Sequence, residues 1–164
     1  MINKLDIENL DKATIKQLIS AEKYPDNEME YNDIINQIEQ SLIIYSNSYH
    51  CKATDTNRKI VYDFQMHTTP LETNFSIGLM FTEYDIHLVR FDFGNNLRHK
   101  NNVGSSQETV VLGSHVHFYA HANKYIPKNV VPIGSIKEFV NISKIKDALL
   151  NFIDYTNIKT SERR

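Results

Sequence analysis

The period of the apolar residues changes twice along this chain, and that change leaves few fold classes open. Up to about residue 45 the spacing is helical. From about 48 to 133 it is close to two, and from 143 it is helical again.

Leu10, Ile15, Leu18 and Ile19 place a short amphipathic helix within Leu5 to Lys23, with Asp11 as its cap and Pro25 as its stop. After the turn Pro25-Asp26-Asn27, the residues Tyr31, Ile34, Ile35, Ile38 and Leu42 follow the i, i+3, i+4, i+7 pattern and predict a second helix from Glu28 to Tyr45. Strands are then expected at Ser48 to Ala53, Lys59 to Met66, Asn74 to Phe81, Asp85 to Phe93 and Thr109 to His121, with a short edge piece at Asn129 to Ile133. Ile145, Ala148, Leu149, Phe152 and Ile153 fall on one side of a closing helix, Ser143 to Tyr155, for which Ser143 is the cap. Strands in sequence joined by short turns pair antiparallel. The expectation is therefore one α+β domain over residues 1–164: helices at about 5–45, a meander sheet of about five strands at about 48–133, and a helix at about 143–155. Phe64, Phe75, Phe81, Phe91, Phe93, Phe118 and Phe152 fill the core between sheet and helices. Asn95 to Glu108 is a polar connection long enough to read as functional.

One segment looks chemical. His115, Val116, His117, Phe118, Tyr119, Ala120 and His121 alternate without a break, so a strand here presents His, His, Tyr and His on one face. The strand before the long connection carries Arg90 and Asp92 opposite its apolar Val89, Phe91 and Phe93. If the register puts both polar faces on one side, Arg90 and Asp92 meet the histidines, with His99 reaching in from the connection. The solvent face of a two-layer domain would show the same pattern, with Arg90 simply paired to Asp92.

Three chemistries fit the cluster. Histidines at i and i+2 on a strand can hold a divalent metal such as Zn, with His121, His99 or Asp92 completing the set around His115 and His117. The downstream residues match neither a cupin nor a metallo-β-lactamase pattern. Alternatively, His99, His115 and His117 act as acid and base in metal-independent phosphodiester cleavage; Arg90 stabilises the phosphate, Tyr119 positions it, and Arg98, Lys100 and Asp92 bind substrate. The paired His-x-Thr/Ser motif of two-histidine phosphoesterases occurs only once, at His67-Thr68-Thr69, and Gly113-Ser114-His115 lacks a nucleophile-elbow pattern. In the third, the surface is a binding face for a protein partner.

The charge distribution fits an ordinary solvated surface first and an anionic ligand second. Residues 1–83 carry 7 Lys/Arg against 13 Asp/Glu, and residues 84–164 carry 11 against 7, so the half holding the histidines has a balance of +4. RNA or DNA is the partner that this balance suits. The acidic first half, with Glu28, Glu30, Asp33 and Glu39 on one helix, suits a decoy for a nucleic-acid-binding groove. The single Cys51 excludes an internal disulfide and any cysteine-built metal site. With no signal-like or membrane-spanning stretch, the chain reads as cytoplasmic, and its Asn, Ile and Lys usage points to a low-GC bacterium or a mobile element.

Several segments, taken in order, carry a resemblance: Leu88-Val89-Arg90-Phe91-Asp92-Phe93, a loop with His99 and Asn101, His115-Val116-His117-Phe118-Tyr119, Val131-Pro132-Ile133, and a final helix running to Asn157-Ile158. Together the second half of the chain resembles a family of small uncharacterised bacterial proteins with a Leu-Arg-Leu-Asp strand, a loop His-x-Asn and a His-Ile-His-x-Tyr strand. The resemblance implies that Arg90, Asp92, His99, His115, His117 and Tyr119 occupy motif positions. His121 lies outside the pattern, which this chain leaves after Tyr119. The leading expectation is a nucleic-acid-directed hydrolase, ribonuclease-like and of defence or mobile-element type; the runner-up is a non-catalytic inhibitor or antitoxin-like protein.

Overall fold

The computed structural model describes residues 5–39, 47–69, 74–121, 130–142 and 144–160. Asp6 caps a single 3-10 turn at Ile7–Asn9. Helix α1 follows at Lys12–Ser20, where the Asp11 carboxylate accepts from the Thr14 N–H at 2.7 Å. It is shorter at both ends than its apolar pattern predicts, because Leu5 to Leu10 is held by its own turn and the chain beyond Ala21 turns into the sheet. Tyr24–Pro25 forms strand β1, pairing with Thr54 and Ala53 at the sheet's edge, where a proline lacking its N–H is tolerated. Asn27 caps helix α2, Glu28–Glu39, through its side-chain oxygen on the Glu30 N–H. Tyr31, Ile34 and Ile38 of α2 are buried, as their spacing requires; Leu42 to Tyr45 lie outside the described residues.

The strands are β2 (Asn47–Asp55), β3 (Ile60–Thr68), β4 (Phe75–Phe81), β5 (Ile86–Phe93), β6 (Arg98–Asn101), β7 (Thr109–Leu112), β8 (His115–His121) and β9 (Val130–Pro132), followed by helix α3 at Ile145–Tyr155. Seven of them form one antiparallel sheet in the order β1-β2-β3-β4-β5-β8-β9, and β6 pairs only with β7. The meander is present, but the sheet has seven strands rather than about five. The two beyond five are the short edge at Val130–Pro132, within the piece expected at Asn129 to Ile133, and an edge at Tyr24–Pro25 that the apolar pattern does not indicate. The fifth expected strand, Thr109 to His121, is broken at Gly113, whose φ of +77° is in the left-handed region and whose N–H donates to the Leu97 carbonyl at 2.8 Å. Upstream of that break the chain pairs with Arg98–Asn101, so the expected polar connection is largely a second hairpin. Ser143, expected to cap the last helix, lies outside the described residues.

One sheet face is apolar. Cys51, Ala53, Tyr62, Phe64, Met66, Phe75, Ile77, Leu79, Val89, Phe91, Phe93 and Val116 are buried there with the apolar stripes of the three helices. Phe91 meets Phe139 with ring centroids 4.2 Å apart and stands edge-on to Phe152 at 5.6 Å, which ties the sheet to α3 and the 3-10 turn before it. Phe118, expected in the core, packs against its margin and is only partly buried.

Lys23 lies at the junction of α1 and the chain after α3. Its side chain is fully buried, and the three N–H groups of its ammonium are shared among the carbonyls of Leu18 (2.6 Å), Ile19 (3.0 Å), Ala21 (2.8 Å) and Thr156 (2.9 Å). Three of these are orphan acceptors at or just beyond the end of α1, so this lysine supplies the C-terminal cap. No helix among the described residues is long and apolar enough to cross a membrane.

Candidate metal centre

The register resolves the question that the alternation alone leaves open. Arg90 pairs with His117, Phe91 with Val116 and Asp92 with His115 across β5 and β8. Cross-strand partners point to the same side of a sheet, so Arg90, Asp92, His115 and His117 share the face opposite the helices. The β6–β7 hairpin folds over that face, because the Asn101 side-chain N–H donates to the Val130 carbonyl at 3.0 Å and anchors β6 beside β9. His99, two residues before Asn101 and on the same side of β6, is thereby brought against β8. Its ring centroid lies 5.7 Å from that of His115 and 5.1 Å from that of His117.

His99, His115 and His117 each offer a ring nitrogen, and the three nitrogens lie within 4.8 Å of one another. Asp92 stands behind two of them: Oδ2 is 3.0 Å from His117 Nε2 and 3.6 Å from His115 Nε2. Its other oxygen accepts from Arg90 Nε at 2.8 Å. Burial by itself disfavours the charged carboxylate, but the hydrogen bond from His117 and the charges of Arg90, His117 and His115 outweigh it and hold Asp92 below the usual carboxylate range. The His99 pKa is pushed down by burial first and then by the neighbouring His117 and His115, with Asp92 opposing, so the metal-ligating neutral form is favoured. His115 Nδ1 lies 2.8 Å from the Gly113 carbonyl, an acceptor, so that nitrogen carries the proton. With Nδ1 engaged on the backbone, Nε2 is the His115 nitrogen turned towards Asp92 and the other two histidines.

The other expected site residues are dispersed. Tyr119 leaves the His face: a bulge in β5, where the pairing to β4 shifts at Leu79/Met80, buries both Leu88 and Val89, and Tyr119 itself adopts φ +50°. Its hydroxyl donates to the Ile7 carbonyl at 2.7 Å and receives the Leu10 N–H at 3.4 Å, so Tyr119 anchors the N-terminal turn rather than positioning a substrate. Tyr119→Phe is expected to cost about 1 kcal/mol, roughly 2–4 °C in melting temperature, since it leaves the Ile7 carbonyl without this donor. An unchanged thermal midpoint would contradict that role. Arg98 and Lys100 alternate with His99 on β6 and face away from the triad; Lys100 pairs with Glu108 at 3.3 Å. The backbone of His121 pairs with Ile86, four residues along β8 from His117, and its side chain lies outside the described residues.

Residues that looked unrelated in sequence join the same face. Ser48 pairs with His67, His67 with Ser76 and Ser76 with Asp92; His50 pairs with Gln65, Gln65 with Gly78 and Gly78 with Arg90. Two polar rows therefore cross the sheet and end at His115 and His117. The only sequence signal for them is strand parity, which becomes readable once the register is known.

Among known proteins, residues 10–158 match the model of DUF6978, described as a family of unknown function. No curated protein and no solved structure matches the chain.

Proposed function

The chain belongs to DUF6978, a family of unknown function, and from the chemistry of its own site we propose that it is a metal-dependent hydrolase acting on phosphodiester bonds of nucleic acid. The observation that supports this reading is the convergence of His99, His115 and His117 from two separate elements, with the Asp92 carboxylate behind them. Three imidazoles are a donor set suited to Zn or a similar divalent ion, and they leave a fourth position for water. A divalent ion held by these three histidines would supply the activation of a water nucleophile at neutral pH. Asp92 holds His117 in place and is itself held by Arg90, the arrangement in which an outer carboxylate orients a ligating histidine. Hydrolysis forms a bond from the water oxygen to phosphorus and releases one ester oxygen with a proton. The Arg90 guanidinium, half exposed beside the triad, adds positive charge to the face that a phosphate chain would approach. The balance of +4 over residues 84–164 supports a polyanionic substrate.

Elemental mass spectrometry of natively purified protein, combined with cleavage of labelled RNA and DNA with and without chelator, tests the reading. About one equivalent of divalent metal and chelator-sensitive cleavage are expected. Metal-free protein that takes up no zinc on titration would overturn it.

A second reading, a non-catalytic surface for a protein partner, is favoured by the outer face of the β6–β7 hairpin. There Leu112 (72% exposed) and Val110 (44% exposed) stand beside Arg98 and Lys100. Metal binding without cleavage of any nucleic acid would favour this alternative.

A further inference from the structure

The two polar rows enclose a cleft of about 220 Å³ on the open face of the sheet, beside the triad and separate from it. Ser48, His50, His67, Ser76, His87 and Arg90 contribute to its walls, and Gly78 forms the floor. Pockets for whole drug-sized ligands run to about 300–1,000 Å³, so this one accommodates a single small group with its water.

Its chemistry is that of an anion site. The Arg90 side chain commits Nε to Asp92, and no described residue engages its two terminal amino groups, which are free to grip a tetrahedral oxyanion. His67 Nδ1 and Ser48 Oγ lie 2.8 Å apart; with the hydroxyl donating, the outer nitrogen of His67 becomes an N–H donor. His87 Nδ1 is buried without a partner among the described residues, a polar atom that an oxygen in the cleft would satisfy. The nearest carboxylates are occupied. Asp63 receives Gln65 Nε2 at 2.9 Å and His50 Nδ1 at 3.4 Å, and Asp92 receives Arg90 and His117.

Gly78 keeps the cleft open. A Cβ there would sit 3.2 Å from the Val89 carbonyl and 3.4 Å from both Arg90 Cβ and His87 Nδ1, in the space between the two walls.

We infer that this cleft binds a phosphate group of the substrate, one other than the phosphate attacked at the triad. This rests on the hydrolase reading for its meaning, although the binding itself does not require metal. From β4, which floors the cleft, to β8, which carries His115 and His117 of the triad, is two strand spacings, roughly 10 Å. A substrate that fills both sites is therefore a chain of at least two phosphates, as in an oligonucleotide, rather than a simple phosphate ester.

The test uses the full chain freed of metal by chelator. Inorganic phosphate is titrated against acetate at matched ionic strength while the imidazole C–H signals of each histidine are followed by NMR. Phosphate is expected to shift His67 and His87 saturably in roughly the millimolar range, with acetate at least about tenfold weaker. His67→Leu and Gly78→Ala, two independent variants, are each expected to raise the half-saturation point about fivefold or more, whereas His99→Gln leaves it unchanged. Shifts that are linear in phosphate, equal for acetate, or confined to His99, His115 and His117 would overturn the inference. Zinc titration of the same samples reports on the triad alone, so failure of the metal centre and failure of the phosphate cleft register separately.

Discussion

Replacing His115 and His117 together by Gln is expected to abolish stoichiometric binding of zinc, with an affinity loss well beyond 100-fold, while the protein stays folded. Two of the three nitrogens converging within 4.8 Å are removed, and His99 alone makes no site. The fold is expected to survive because both side chains lie on the face away from the helices, and the core beneath them is built by Val116 and Phe91. Gln keeps a donor for Asp92, which also retains Arg90, so no buried charge is stranded. Stability should change by about 1 kcal/mol or less, roughly 2–4 °C in midpoint. Isothermal titration with zinc and a thermal melt decide the matter: full zinc affinity in the folded variant would remove these residues from the centre. Asp92→Asn should give the smaller loss typical of an outer partner, about 10–100-fold, with the three ligands still present.

Lys23→Met is expected to lower stability by about 3 kcal/mol, roughly 6–12 °C in melting temperature, though it touches no part of the site. The methionine fills most of the same space, so the loss measures hydrogen bonding rather than packing. Four carbonyls lose a donor, those of Leu18, Ile19 and Thr156 in buried surroundings, and the joint between α1 and the chain after α3 is unsealed. A midpoint within 2 °C of the parent would show that the cage is dispensable. The same residue gives a pH signature. Burial pushes the Lys23 pKa down from 10.5 to about 7, with Asp55 opposing the shift and Arg58 adding to it. The unfolded chain therefore binds more protons than the folded one from about pH 7 upward. Stability contributed by this group rises with pH through that window, and Lys23→Met should lack the rise in urea titrations run at pH 7 and pH 9.

The local elements were legible because their causes are local. Asp11 and Thr14 are three residues apart, so the cap of α1 follows from the chain itself. The buried stripes of α2 and α3 and the alternation of β3 and β4 follow from helix and strand periods in the same way. The edge at Val130–Pro132 falls within the short piece expected at Asn129 to Ile133, whereas the edge at Tyr24–Pro25 was not legible as sheet, being too short for any period to show. Gly113 was visible as a residue, but the hairpin that its turn closes depends on Leu97, which supplies the acceptor from sixteen positions away in sequence.

The candidate site divides along the same line. The alternation of His115 and His117, the parity of Arg90 and Asp92, and the availability of His99 as a third donor are properties of sequence alone. That all five meet was decided by the β5–β8 register and by Asn101 holding the hairpin down on β9. Tyr119 shows the limit most clearly: strand parity puts it with the histidines, yet a bulge in the neighbouring strand and a positive φ turn it to the N-terminal turn. The polar rows from Ser48 and His50 to the triad were likewise invisible, since they are read across five strands rather than along one. By itself the sequence determined which residues lie on which face of each element, because backbone sterics impose the two periods within a few residues. Which faces meet was left to the tertiary structure, because register, bulges and the docking of a hairpin are set by contacts between residues far apart in the chain.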